Sequence, residues 1–234
     1  MIHDKGVLTI AHSQRKYVRQ AVSLAQSIRY HTPDIPLAVA TDLDKHHFRG
    51  LFDIVIPWNF ADLPGVLCKL GLSGVSPFGK TLFVETDCLA VGSLHRVFDY
   101  FAGRQFAVFG RNEPTLHYFQ SPELIRKIIP SKTFPSFNGG LYYFQKGDLA
   151  DTIFSDARAL LTQYDQLGLN RIYHSLRNKQ GVPCDEPLIS LAMAKAGLKA
   201  VDDPQLDIMF APEPPRYQMD LDVLKGTCSF VRSG

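Results

Sequence analysis

Glu85 and Asp87 stand two residues apart at the end of the apolar run Thr81-Leu82-Phe83-Val84. In an extended chain alternate side chains point to the same side, so both carboxylates can face one site. Two hard oxygen donors at that spacing suit Mg2+ or Mn2+, and such an ion in turn suits a diphosphate. The same two acids could instead cap a neighbouring helix or pair with Lys or Arg, and the two residues alone do not choose between these. What must position them is a buried strand whose carboxyl end opens at the edge of a sheet, where open α/β sheets take their ligands.

The surrounding pattern supplies such a sheet. Residues 6–11 (GVLTIA) form a short β-rich apolar run, and residues 17–30 carry Val18, Ala21, Val22, Leu24, Ala25 and Ile28 at helical spacing before Thr32-Pro33-Asp34 stops them. Further strands are expected at 36–41, 53–56, 81–84 and 106–110, with an aromatic strand at 137–145. Helices are expected at 67–72, 94–101, 148–164 and 186–196, the last closed by Gly197. Strand alternating with helix implies an α/β fold with a mixed, mainly parallel, Rossmann-like sheet flanked by helices. The weakly periodic, Pro-rich tail from Asp202 receives no element.

The bulk properties remove several classes. A chain of 234 residues suits a single domain, 1–234, and can bury a core without disulfides. Its composition, 45% hydrophobic and 21% charged with a net charge of +2, shows no electrostatic footprint for nucleic acid or an anionic membrane. No stretch reaches the length of an integral membrane span, and the start of the sequence does not read as a signal peptide. Cys68, Cys88, Cys184 and Cys228 are widely spaced, which argues against a zinc module and for a reduced, cytoplasmic setting.

One motif is a decoy. Residues 74–81 (GVSPFGKT) match the phosphate-loop pattern GxxxxGK(S/T), whose backbone N–H groups work because a strand precedes and a helix follows. Here an apolar strand follows instead, and Pro77 removes one N–H.

Taken in order, Lys69-Leu70, LFVETDC (82–88), FNGGLYYF (137–144) and DEPLISLAMA (185–194) resemble a known layout. It is that of the GT-A fold glycosyltransferases, particularly the family-8 and glycogenin-like enzymes, over residues 7–199. The resemblance implies a nucleotide-binding part at about 1–110 and an acceptor-side part at about 111–234. It implies transfer of a sugar from a nucleotide-diphosphate sugar, UDP-linked, to a hydroxyl of a glycan, lipid or protein, with Mn2+ or Mg2+ and retention of configuration.

Roles follow position by position. Asp87 matches the second acid of the family's DxD metal motif, and Glu85 stands in place of the first, one methylene longer. Lys69 matches a Lys that neutralises phosphate oxygens, although a solvated helix-face Lys would read the same way. Ala11, His12, Ser13 and Tyr17 occupy the base-binding stretch; Tyr17 could also be an ordinary amphipathic-helix residue. Thr86, Gly139 and Gly140 fall among the donor contacts, and Asn138 lies beside the sugar and acceptor. Asp185 matches an acid near the reacting sugar and competes with a plain helix N-cap. Glu186 takes the place of the usual Gln.

The family completes its metal site with a C-terminal His, and no His follows His174 here. A shortened chain, a water ligand or a weak metal are the open explanations. In the implied chemistry the ion acts as Lewis acid on the departing diphosphate and the site orients the acceptor. The alternatives are a nucleotide-sugar-binding protein of the same fold without catalysis and, less well matched, a nucleotidyltransferase, which would want a Gly-rich basic loop after the first strand.

Overall fold

The computed structural model describes residues 3–172, 181–202 and 217–232. His174 and the Pro-rich stretch 211–215 lie outside the described residues.

The chain opens with strand β1 (His3–Ala11), helix α1 (Arg15–His31) and strands β2 (Leu37–Thr41) and β3 (Ile54–Pro57). A 3-10 segment (Gly65–Gly71) and a single helical turn α2 (Leu72–Val75) lead into β4 (Phe78–Val84). Helix α3 (His95–Tyr100), β5 (Phe106–Ala107), β6 (Gly110–Glu113), α4 (Pro122–Ile128), β7 (Phe134–Phe137) and β8 (Leu141–Gln145) follow. Helices α5 (Asp148–Leu161) and α6 (Asp185–Lys195) then precede a hairpin, β9 (Tyr217–Asp222) and β10 (Thr227–Arg232).

The main sheet has six strands in the order β3-β2-β1-β4-β8-β5. The first four run parallel, and β8 lies antiparallel between β4 and β5, so the sheet is mixed and mainly parallel as expected. Alternation decides which residues meet which helices. Leu8, Phe83, Tyr142 and Phe144 pack with Phe154 of α5 and Leu188 and Ile189 of α6. Val7, Leu82, Leu141 and Tyr143 pack with Leu24 and Ile28 of α1 and Phe98 of α3. Both faces are covered, which is why 82–84 is apolar without interruption.

Two expected strands divide. The run 106–110 becomes β5 and β6, and β6 leaves the main sheet to pair with β7. The run 137–145 breaks at Asn138-Gly139-Gly140, which forms a turn between β7 and β8. Apolar composition is shared by both halves, so periodicity cannot show the break; Asn and paired Gly carry the turn signal. Helix α5 ends at Leu161, three residues short of the expected 164. Gly79, Lys80 and Thr81 lie inside β4, with Lys80 paired to Lys5 and Gln145, so the GKT end of the phosphate-loop look-alike is strand and no helix follows it. Gly79 is needed there because a Cβ would lie 2.9 Å from the Asp4 carbonyl. Among the described residues no helix is long and apolar enough to cross a membrane.

Candidate functional site

From β1 the chain steps outward to β2 and β3, then returns to place β4 on the other side of β1. The carboxyl ends of β1 and β4 therefore flank a topological switch point, the usual crevice of an open α/β sheet. Ala11-His12-Ser13 leave β1 on one side of it, and Glu85-Thr86-Asp87 leave β4 on the other.

At the β4 end, Glu85 is still tied to the sheet edge by its N–H, which donates to the Gly140 carbonyl at 2.9 Å. Its carboxylate Oε1 lies 2.9 Å from Lys69 Nζ. Lys69 comes from the 3-10 segment and is buried; it also meets Asp185 Oδ2 at 2.9 Å and donates to the Gly139 carbonyl at 3.2 Å. An ammonium has three N–H donors, and these three acceptors match them. Lys69 is thus directed to the protein's own carboxylates and not left free for a phosphate. Burial opposes its charge, but Asp185 and Glu85 outweigh burial and hold its pKa above the ordinary Lys range. Glu85 is pushed up by burial, with Lys69 pulling the other way and Asp185 and Asp87 adding to the rise.

Asp185 is the first residue of α6, not its cap; Cys184 holds the cap position without a side-chain capping bond. The Asp185 carboxylate turns inward, only 1% exposed, and accepts from the buried Tyr142 hydroxyl at 2.6 Å. Burial and then Asp185 raise Tyr142 far above the usual phenol range, so it remains a donor. Glu186, the next residue, is half-buried. Its Oε1 accepts from the Gly139 N–H at 2.7 Å and its Oε2 from the Tyr118 hydroxyl at 2.5 Å. Acidic residues in the first turn also suit the positive end of the helix dipole.

The peptide of Gly139 is held from both sides, its N–H by Glu186 and its carbonyl by Lys69. Glycine is required there for space. A Cβ would lie 2.9 Å from Lys69 Nζ, 3.0 Å from Tyr142 Oη and 3.1 Å from Asp185 Oδ2. Asn138 is exposed and its Oδ1 closes the turn by accepting from Gly140 N–H at 2.8 Å.

Thr86 is buried, whereas Asp87 is exposed on the turn and its side chain makes no hydrogen bond among the described residues. No group of three or more His, Cys, Asp or Glu side chains converges as a metal cluster among the described residues.

On the β1 side, Ser13 adopts φ 67°, and its N–H donates to Asp42 Oδ1 at 2.8 Å. The His12 ring stacks on Tyr17 at 5.8 Å between centroids and on Phe60 at 4.6 Å; Trp58 continues the series beyond Phe60 at 4.5 Å. Burial lowers the His12 pKa, and Asp42 opposes this. Ala11 is fully buried at the strand end.

The structure therefore brings Lys69, Glu85, Asn138, Gly139, Gly140, Asp185 and Glu186 into one hydrogen-bonded cluster. Thr86 and Asp87 follow it directly, and His12, Ser13 and Tyr17 form a second cluster at the neighbouring strand end. Sequence reasoning missed Tyr142, Tyr118, Asp42 and Phe60. Only Tyr142 left a signal: it lies four residues after Asn138 on a short aromatic strand.

No protein-family model and no curated protein matches the chain. Solved structures do. The chain is similar to the glycosyltransferase GlyE of Streptococcus pneumoniae TIGR4 with a TM-score of 0.58 at 12% identity, over 87% of this chain and 46% of that one. It is similar to the galactosyltransferase LgtC, solved with donor and acceptor sugar analogues, with a TM-score of 0.54 at 17% identity, over 84% and 73%. Mouse xyloside xylosyltransferase 1 gives a TM-score of 0.51 at 14% identity, covering 84% of each chain. The fold is that of GT-A glycosyltransferases. The chain spans less than half the length of GlyE. The carboxylate cluster of this chain sits in the crevice beyond β1 and β4.

Proposed function

We propose that this chain transfers a sugar from a nucleotide-diphosphate sugar, UDP-linked, to an acceptor hydroxyl. The observation that carries this reading is the convergence of Glu85, Lys69, Asp185, Gly139 and Glu186 beside the exposed Asp87, at the switch point of a GT-A sheet. In this reading residues 1–110 form the nucleotide-binding part and 111–234 the acceptor side.

The donor set suits a hard divalent ion. Asp87 presents an exposed carboxylate without a hydrogen-bond partner among the described residues, and Glu85 engages Lys69 through Oε1. One or two carboxylates plus substrate phosphates and water are the usual shell of Mg2+ or Mn2+ in such sites. When bound, the ion would supply Lewis acidity toward the leaving diphosphate. The chain's own residues do the rest. His12, Ser13 and Tyr17 provide a stacked, polar edge for the base. Lys69 balances the charge of Asp185 and Glu85 and fixes the Gly139 peptide. Asn138 and Glu186 offer polar groups to sugar hydroxyls, which is the positioning that lowers the barrier to transfer. Retention of configuration belongs to the same proposal.

Thermal-shift measurements with UDP-sugars, with and without Mn2+, test it. A donor at 100 times its Kd should stabilise the fold by about 2.7 kcal/mol, dependent on the metal. Asp87→Ala should abolish that stabilisation and metal-dependent release of UDP while leaving stability within about 0.5 kcal/mol, as expected for an exposed residue. A fully active variant would remove Asp87 from the role.

The second reading is a donor-binding protein without catalysis. It is favoured by the complete internal use of the Lys69 ammonium and by the absence of a three-ligand cluster among the described residues. Binding of a UDP-sugar without release of UDP would select it.

A further inference from the structure

Of the two adjacent acids that open α6, only Glu186 is open to solvent. Its neighbour Asp185 is sealed against Lys69 and Tyr142. Glu186 is also the better fixed for orientation, because each carboxylate oxygen has its own donor: Gly139 N–H at 2.7 Å and the Tyr118 hydroxyl at 2.5 Å. Two donors on two oxygens define the plane of a carboxylate, while each oxygen keeps a further lone pair for another hydrogen bond.

Tyr118 is itself held by a ring of hydrogen bonds that returns to the start of α6. Asn170 N–H donates to the Tyr118 carbonyl at 2.7 Å, and Asn170 Nδ2 donates to the His117 carbonyl at 3.0 Å. The Tyr164 hydroxyl donates to the Asn170 carbonyl at 2.8 Å and accepts from Cys184 N–H at 3.1 Å. Cys184 is the cap residue of α6, two positions before Glu186. The His117 ring covers the Tyr118 ring, with centroids 3.8 Å apart. Burial, with Cys184 and Glu186 adding to it, raises the Tyr118 pKa well above the usual phenol range, so the hydroxyl keeps its proton.

We infer that Tyr118 is a positioning residue, which fixes the Glu186 carboxylate so that it receives a sugar hydroxyl of the substrate. The inference rests on the transferase reading. It is particular to a chain with Glu at this position. A Gln would present an amide N–H₂ to one of the two donors, and only the tyrosine could reverse its role to accept it. A carboxylate needs both neighbours as donors, and both are donors here. Support from neighbours whose own geometry is locked is what holds a polar group in one productive orientation.

The test uses Tyr118→Phe, Glu186→Gln and the double variant, with UDP-sugar turnover in Mn2+ as one readout and ultraviolet resonance Raman of the tyrosine doublet as the other. Tyr118→Phe should lower kcat about tenfold, the scale of one charge-assisted hydrogen bond, with the donor KM within about twofold. The double variant should be no slower than Glu186→Gln alone, since Glu186→Gln already removes the carboxylate that Tyr118 fixes. In the spectrum, Tyr118→Phe should remove a strong-donor tyrosine, and Glu186→Gln should convert that tyrosine to a weaker donor or an acceptor. A Tyr118→Phe variant with unchanged kcat, additive losses in the double variant, or an unchanged tyrosine doublet in Glu186→Gln would each overturn the inference. Absence of turnover in the unsubstituted chain with any UDP-sugar would instead overturn the transferase reading and the kinetic consequence with it. The Raman arm would then still decide whether Tyr118 holds Glu186.

Discussion

Lys69 Nζ lies 2.9 Å from Asp185 Oδ2, and the two side chains are 5% and 1% exposed. Buried charges of this kind are supported by their partners and penalised when a partner is lost. Lys69→Ala should destabilise the chain by about 3–5 kcal/mol, because Asp185 is left buried without a counter-charge, whereas Asp185→Ala should cost less, because Lys69 keeps Glu85 and the Gly139 carbonyl. A Lys69→Met, Asp185→Leu double substitution should cost less than Lys69→Ala alone. Urea unfolding measures all three, and a mild effect of Lys69→Ala would show that the pair is more hydrated than its burial indicates.

Glu85 supplies a pH dependence of defined sign. Burial sets its folded pKa above the ordinary glutamate value, with Lys69 only partly opposing the rise. The folded state therefore holds this proton more tightly than the unfolded state. The stabilisation is complete below the unfolded value of about 4.3 and is lost as pH rises through the folded one. Glu85→Gln carries no such proton, so the unsubstituted chain should lose stability relative to the variant as pH rises from about 4 through the folded value. Chemical denaturation at a series of pH values checks this; a gain in its place would mean that Lys69 outweighs burial.

Gly139→Ala probes the space around the clamped peptide. Its Cβ would come within 3.1 Å of Lys69 Nζ, Tyr142 Oη and Asp185 Oδ2 together. The expected cost is about 1–3 kcal/mol, typical of overpacking a filled site. UDP release should fall in parallel if the transferase reading holds. Gly74→Ala, where a Cβ meets nothing within 4 Å, is the control and should leave stability nearly unchanged.

The cysteines should divide by reactivity. Burial pushes the Cys68, Cys88 and Cys184 thiols up to about 12. At pH 8 only on the order of one in ten thousand of each is thiolate, the reactive form. Cys228 is exposed and is raised less. Titration with a thiol reagent on the folded chain should show one fast group and three slow ones, with the fast group lost in Cys228→Ser. Rapid labelling of Cys88 would place the loop after Asp87 in a more open state.

Much of the frame is written locally. Residues 82–84 are apolar without interruption because both sheet faces are covered, and the helical spacing in 17–30 announces the helix that covers one of them. Glu85 and Asp87 follow at once, so an acid-bearing strand end is readable from neighbours alone. The break of 137–145 into β7, a turn and β8 was less accessible, because apolar strand residues on either side look alike. The same limit applies to Lys69. Its sequence neighbours allow a solvated lysine or a phosphate ligand, and nothing local indicates that two carboxylates lie around it.

By itself, then, the sequence determined the strand that ends in Glu85-Thr86-Asp87, the helices that flank the sheet, and the strand that follows the phosphate-loop look-alike, since each follows from periodicity and adjacent residues. Only the tertiary structure decided the partners: that Lys69 serves Glu85 and Asp185, that Tyr142 seals Asp185, and that Tyr118 and Gly139 hold Glu186. Those contacts join residues 16 to 116 positions apart, and a hydrogen bond's direction and burial depend on where the folded chain brings its two ends together.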